Sequence, residues 1–290
     1  MVIKGRMWFW CVVLAAAVAC NAGAADKGAG TADYAVARTS FHTKLVKHGP
    51  APQPWVPTIL PASARSLTFK SGGLSLEAWI SGDGKPPQHP AVLFLHGGFA
   101  FGEDDWEMTK PFRDAGFIVM MPRLRGENGQ PGDFSLFFDE VDDVLAAATA
   151  LARQPDVDAK HIYVAGHSAG GTLTMLAAMA SKQFRAAASL SGSPDLRKFV
   201  DTQRELIVFD PRNDDELRIR SPLDFATSFK CPTRLYRGSR EAYFAKTTAE
   251  LASRAQAGGL DVREVVVPGD HLSMTTPAIL QAIEFFRSQQ

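Results

Sequence analysis

Of the residues able to do covalent chemistry, Ser168 has the most telling surroundings. In "IYVAGHSAGGTLTMLAAMA" (residues 162–180) it stands between Gly166 and Gly170, where a β-branched run gives way to a helical one. Gly-x-Ser-x-Gly is short enough to arise by chance, so the flanking residues carry the argument. "HIYVA" (161–165) reads as a buried strand, and the segment after the serine repeats Leu173, Leu176, Ala177 and Ala180 at helical spacing. A strand, a sharp turn and a helix would lift the hydroxyl above a sheet edge. The helix N-terminus behind it would then favour a developing negative charge. Only small neighbours permit such a turn, which gives both glycines a steric reason to be there.

A nucleophilic serine needs a base, because its free hydroxyl is hardly ionised at neutral pH. Of seven histidines, His42 and His48 fall in an irregular N-terminal stretch, His89 in a proline-flanked loop and His161 at a strand start. His96 and His167 lie inside glycine motifs, where their backbone position is expected to matter more than their imidazoles. His271, in "VVVPGDHLSM" (265–274), follows the last strand and is the predicted base. A third group should hold its tautomer and stabilise its charged form. Glu241 is the carboxylate at the preceding strand exit, "RGSREAYF" (237–244), with Asp270 and Asp210 as competitors. The oxyanion donors are expected from Ala169 N and from Gly98 or Phe99 in "HGGFAFG" (96–102), whose paired glycines let backbone N–H groups face a substrate.

These motifs share one location, just after strands. "AVLFL", "FIVMM", "HIYVA", "AAASL", "TRLY" and "REVVV" are short apolar strands separated by helical patterns such as 140–154 and 246–257. Parallel connections need crossovers, so this alternation predicts an α/β fold with a mostly parallel sheet and helices on both faces. An antiparallel hairpin, "SLTFK" and "LSLEAWI" around Ser71–Gly73, should precede it. In open sheets of this class ligands bind beyond the carboxyl ends of the strands. Residues 191–232 leave room for a small cap of one or two helices.

The whole chain sets the remaining bounds. With 31 basic and 31 acidic side chains and 46% hydrophobic residues, it suits a globular protein with one sizeable core. Neither a basic excess nor a basic stripe suggests nucleic acid. No His, Cys or Asp cluster has metal-ligand spacing, and no phosphate or dinucleotide loop calls for a cofactor. Lys4 and Arg6, the apolar run 7–19 and the small residues after it follow the order of a secretory signal over residues 1–25. The protein is thus expected to be exported, periplasmic or secreted. "AVAC" (17–20) also offers a lipoprotein-like alternative ending at residue 19, with Cys20 as the lipid anchor and the membrane as a partner. Cys231 is then the one thiol of the folded domain and no intrachain disulfide is expected. Residues 26–61, rich in Ala, Gly, Pro and Thr, read as a loosely packed leader to a catalytic domain at 62–290.

From about Leu67 to Phe286 the chain resembles an α/β-hydrolase of the prolyl oligopeptidase and dienelactone hydrolase type. "AVLFLHGGF", "MPRLRGENGQPGDF", "VAGHSAGG", "SPLDFA", "CPTRLYRGSRE" and "VPGDHLSM" fall in that group's order. The resemblance implies Ser168 as nucleophile, Glu241 at the acid position and His271 as base, the order of this fold. Two departures stand out. The acid in the group is usually aspartate, and Ala242, Tyr243 and Phe244 stand where a valine and proline are common. The chain has no room for the β-propeller of the prolyl oligopeptidases, so a free-standing catalytic domain is expected. The leading functional reading is an exported serine hydrolase cleaving a small ester through an acyl-enzyme. A peptidase acting on short peptides and an inactive binding protein of the same fold are the alternatives.

Overall fold

The computed structural model describes residues 33–290. The expected export signal and Cys20 lie outside the described residues. Among the described residues, eight strands form one sheet: β1 (Arg65–Ser71), β2 (Leu74–Ile80), β3 (His89–Leu95), β4 (Ile118–Pro122), β5 (Val157–His167), β6 (Ala187–Leu190), β7 (Thr233–Gly238) and β8 (Val262–Val267). Their order is β1-β2-β4-β3-β5-β6-β7-β8. β1 and β2 make the expected hairpin, joined through Gly72 at φ +55°, and β2 runs antiparallel to β4. Every other neighbouring pair is parallel. This is the α/β-hydrolase fold. His89, read as a loop residue, begins β3, and β5 extends well beyond "HIYVA" because Val157 pairs with His89 across an irregularity.

Side-chain alternation along the strands divides the core in two. Leu93, Leu95, Met120, Ile162 and Val164 face one side, covered by α4 (Glu140–Ala152), α5 (Ala169–Ala180) and α8 (Ala242–Ala257). Val92, Phe94, Val119, Met121 and Tyr163 face the other. There they meet α2 (Glu103–Met108), α3 (Lys110–Asp114) and α9 (Thr275–Arg287) through Trp106, Phe112, Ile279 and Phe286. α5 is buried on every side from Ala169 to Met179, which its run of Gly, Ala and Thr allows. It is the central helix, and it begins directly after Ser168.

Residues 33–61 differ from the loose leader expected of them. Their N-terminal helix α1 (Tyr34–Ser40) sinks Tyr34 completely, with its ring edge-on to Phe225 at 5.1 Å and its N–H donating to Ser228 Oγ at 3.0 Å. Val46 N then donates to Val208 O at 2.7 Å and Ala51 N to Gly126 O at 3.0 Å. The anchors are single side chains and backbone groups, which leave no periodic pattern in the sequence.

Between β6 and β7 lie α6 (Arg197–Thr202), α7 (Asp214–Arg218) and two 3₁₀ segments, Arg204–Leu206 and Pro222–Ser228. Arg220 fastens this insertion. Fully buried, it donates to Ser135 O, Leu136 O, Thr43 Oγ1 and the Glu216 carboxylate, and it lies 4.2 Å over the Phe209 ring. Thus one guanidinium joins the leader, the loop before α4 and the cap. Removing it as Arg220→Met strands the buried Glu216 charge and three acceptors, and should lower unfolding free energy by about 3–5 kcal/mol in urea titration. Arg220→Lys, which keeps the charge without the five-donor fork, should recover only part of that loss.

Candidate active site

The turn from β5 into α5 places Ser168 at φ +55° and ψ −116°, a conformation that a residue with a Cβ enters only under strain. Its neighbours leave no alternative to glycine. A Cβ on Gly170 would lie 2.0 Å from Leu95 O, and one on Gly166 would lie 2.5 Å from Gly170 O. The helix start is therefore pressed directly onto the end of β3. Ser168 N donates to Leu190 O at 2.8 Å, which ties the turn to β6 on its other side.

Around this hydroxyl the sheet's carboxyl edge gathers two further groups. His271 Nε2 lies 2.9 Å from Ser168 Oγ, and His271 Nδ1 lies 2.6 Å from Glu241 Oε1. The Glu241 side chain is 5% exposed and that of His271 41%, so the carboxylate is enclosed while the imidazole stays open at the mouth. Ser191 Oγ and Gly238 N each donate to Glu241 Oε2 at 2.6 Å. Burial works to raise the Glu241 pKa, but hydrogen bonds from His271, Ser191 and Gly238 N outweigh it and hold the carboxyl below its usual range. The structure thus brings together the three side chains predicted from the sequence.

The competing acids sit elsewhere. Asp270 pairs with Arg240 at 2.7 Å and accepts from Ser273, and those hydrogen bonds keep it far below the usual carboxylate range. Asp210 pairs with Arg212 at 3.0 Å in the cap insertion. Arg125 makes a two-pronged bond to Asp143, at 2.8 and 2.7 Å, so neither Arg125 nor Arg240 is an unpaired cation at the site. Phe99, Phe101 and Trp106 are buried in the core.

Of the expected oxyanion donors, Phe99 N is corrected by the structure: it donates to Gln53 Oε1 at 2.8 Å. Gly98, at φ +65°, and Ala169, at the start of α5, donate from N to no protein acceptor among the described residues. The loop passes close by, since a Cβ on Gly97 would lie 3.6 Å from Ser168 Cβ.

Both imidazoles set aside in the sequence have structural work. His167 Nε2 donates to His271 O at 2.8 Å, and burial pushes its pKa down to about 4, so it is neutral and fixes the main chain of the residue that faces Ser168. His96 Nε2 lies 3.0 Å from the buried Glu127 carboxylate. Burial alone would lower the His96 pKa; the charge and hydrogen bond of Glu127 prevail and raise it, so a buried ion pair clamps the loop after β3 to the loop after β4. Cys231 is a free thiol whose pKa burial lifts to about 12. Sequence reasoning missed Ser191. Its place directly after β6, on the edge that supplies the other groups, was the available signal.

Comparison with known proteins agrees with this architecture. Residues 104–271 of the 290 match the prolyl oligopeptidase family. The chain belongs to that family. Membership of the prolyl oligopeptidase family makes it a hydrolase of the peptidase or esterase kind. It is 25% identical over 190 residues to the uncharacterized peptidase YtmA of Bacillus subtilis (strain 168), covering 61% of this chain and 72% of that one. Among solved structures it resembles Pyrococcus horikoshii acylaminoacyl peptidase, with a TM-score of 0.64 and 20% identity over 78% of this chain. The chain spans 40% of that protein's length. Est1E from Butyrivibrio proteoclasticus matches with a TM-score of 0.60 and 19% identity, over 77% of this chain and 98% of Est1E.

The Glu241 cluster generates a pH-dependent prediction. A carboxyl whose folded pKa is depressed adds stability above its unfolded pKa, near 4.5, and loses it as pH falls through the lower folded value. Ser191→Ala removes one of the depressing hydrogen bonds, so it should cost about 1.5–3 kcal/mol at neutral pH and progressively less below pH ~4. Urea unfolding of both proteins at pH ~7 and ~3 checks this: the difference between them should shrink at the lower pH.

Proposed function

We propose that this member of the prolyl oligopeptidase family is a serine hydrolase that cleaves small esters by acyl transfer through Ser168. The observation carrying this reading is the continuous chain from Ser168 Oγ to His271 Nε2 and from His271 Nδ1 to Glu241, built around a strained serine turn. His271 Nε2 takes the hydroxyl proton as Oγ attacks the carbonyl carbon, and the carbonyl π pair moves onto oxygen, facing Gly98 N and Ala169 N. Collapse breaks the ester bond, with His271 returning the proton to the leaving alcohol. Water then repeats the sequence on the acyl-enzyme, and Ser168 regains its proton. Glu241 supports the imidazolium that forms between these steps and is not itself protonated.

Short peptides are the second reading, favoured by the family match and by the peptidase relative. The same proton path serves an amide, whose departing nitrogen needs the proton from His271 more than an alkoxide does. The partner in either case is a small molecule. Export, with lipid attachment at Cys20 as a variant of it, belongs to this proposal on sequence grounds alone.

The test is kinetic. Ser168→Ala and His271→Ala should each remove turnover by roughly a million-fold, and Glu241→Ala by about ten-thousand-fold, because the base remains and only its support is lost. Adding His271→Ala or Glu241→Ala to Ser168→Ala should cost almost nothing further, since members of one machine are not additive. Fluorophosphonate should label Ser168 in the unaltered protein. Turnover across p-nitrophenyl acetate, p-nitrophenyl butyrate and aminoacyl anilides separates the two substrate readings; faster anilide cleavage reverses the ester assignment.

A further inference from the structure

Residues 49–59 form a strap outside the part of the chain that matches the family. It is pinned along its length: Phe134 N donates to Gly49 O at 2.9 Å, Ala51 N to Gly126 O at 3.0 Å, Arg123 Nη2 to Thr58 Oγ1 at 2.7 Å and Ile59 N to Glu103 Oε1 at 2.9 Å. Between these pins Gln53 turns toward the loop after β3, where its Oε1 accepts the Phe99 N–H. The Phe99 ring is held separately, edge-on to Phe134 at 4.9 Å and tilted against Phe137 at 5.7 Å. Residue 99 is therefore fixed through its backbone and through its ring.

That fixation acts on the residue before it. The peptide joining Gly98 to Phe99 is a rigid plane, so holding the Phe99 N–H holds ψ at Gly98. Gly98 otherwise has the widest conformational freedom of any residue type and no side chain to anchor it. A Cβ there would stand 2.6 Å from Gln53 Oε1, so the carboxamide fills the space that any other residue would use. Without this acceptor the N–H of a buried residue would go unpaired, and the loop would gain by turning that peptide elsewhere.

We infer that Gln53 is a positioning residue of the acyl-transfer site: by accepting the Phe99 N–H it holds the Gly98–Phe99 peptide and so limits rotation about Gly98, which keeps the preceding peptide, with Gly98 N, where Gly98 N and Ala169 N converge on the developing oxyanion. The inference rests on the function proposed above. Gln53 forms no bond to substrate and moves no proton. Its influence appears only as charge builds on the oxygen, so it falls on the transition state and leaves ground-state binding alone.

Gln53→Ala and Gln53→Met, the second similar in length but without the acceptor, test this in the full chain, with thermal melting to verify folding. For p-nitrophenyl butyrate, kcat should fall about tenfold while KM stays within about twofold; losing an oxyanion donor itself costs more, about 10²–10³. A trifluoromethyl ketone, which Ser168 would convert to a tetrahedral oxyanion, should bind about tenfold more weakly in the same proportion. If Gln53→Ala fails to fold, Gln53→Met decides. Unchanged kcat in a folded variant overturns the inference, as does a rise in KM alone. A higher kcat overturns it too, because Gln53 would then be blocking Phe99 N as a donor. An unaltered protein that neither cleaves the ester nor takes a fluorophosphonate at Ser168 overturns the acyl-transfer reading and this one together. An active protein with indifferent variants counts against Gln53 alone.

Discussion

The start of α5 lies so close to the end of β3 that no Cβ fits at Gly170, and the rest of the site follows from that approach. It holds Ser168 at a positive φ, a strain of about 1–3 kcal/mol that persists only where surrounding structure over-determines it. Here the surroundings are a helix buried on all sides, with the turn anchored by Leu190 O from β6 and the helix start pressed against Leu95 O of β3. The same approach brings the glycine loop after β3 beside the serine. Hydroxyl and backbone donors thus share one origin in helix-to-strand packing.

Three histidines of this edge are held in different electrostatic settings by burial and partner. His96 is enclosed with a carboxylate and favours its charged form, while His167 is enclosed with a carbonyl and stays neutral. His271 alone lies partly open, with Glu241 behind it and a hydroxyl in front. Identical side chains take separate duties because low-dielectric surroundings amplify whatever partner is present. Two of them hold backbone in place, and that backbone carries the third histidine and the oxyanion loop.

Much of this was legible in the sequence, for a physical reason. Parallel strands are buried on both faces, so they appear as bare apolar runs, and groups facing a ligand collect just after them. Ser168, Glu241 and His271 could be chosen by that rule, and they meet in the structure. Ser191 obeys the same rule and was overlooked because a serine after a strand has many ordinary uses. Gln53, Tyr34 and Arg220 could not be chosen by it. Each acts through long-range contacts with partners dozens to nearly two hundred residues away, and such contacts impose no period. The ring contacts of His96 and His167 were hidden for a related reason, since a glycine motif shows why backbone must bend there but not which ring will be enclosed.

The strap and helix of residues 33–61 bear on what counts as the unit of this protein. Similarity draws the boundary at residue 104, and composition draws it near residue 62. Burial draws it at Tyr34, whose ring closes the core beside Phe225. An excised domain begun near residue 62 would retain Ser168, Glu241 and His271 yet expose the floor beneath α1, leave Arg220 without Thr43 and free the Phe99 amide. Low activity in such a fragment would report a missing scaffold and say nothing about the chemistry of the intact chain.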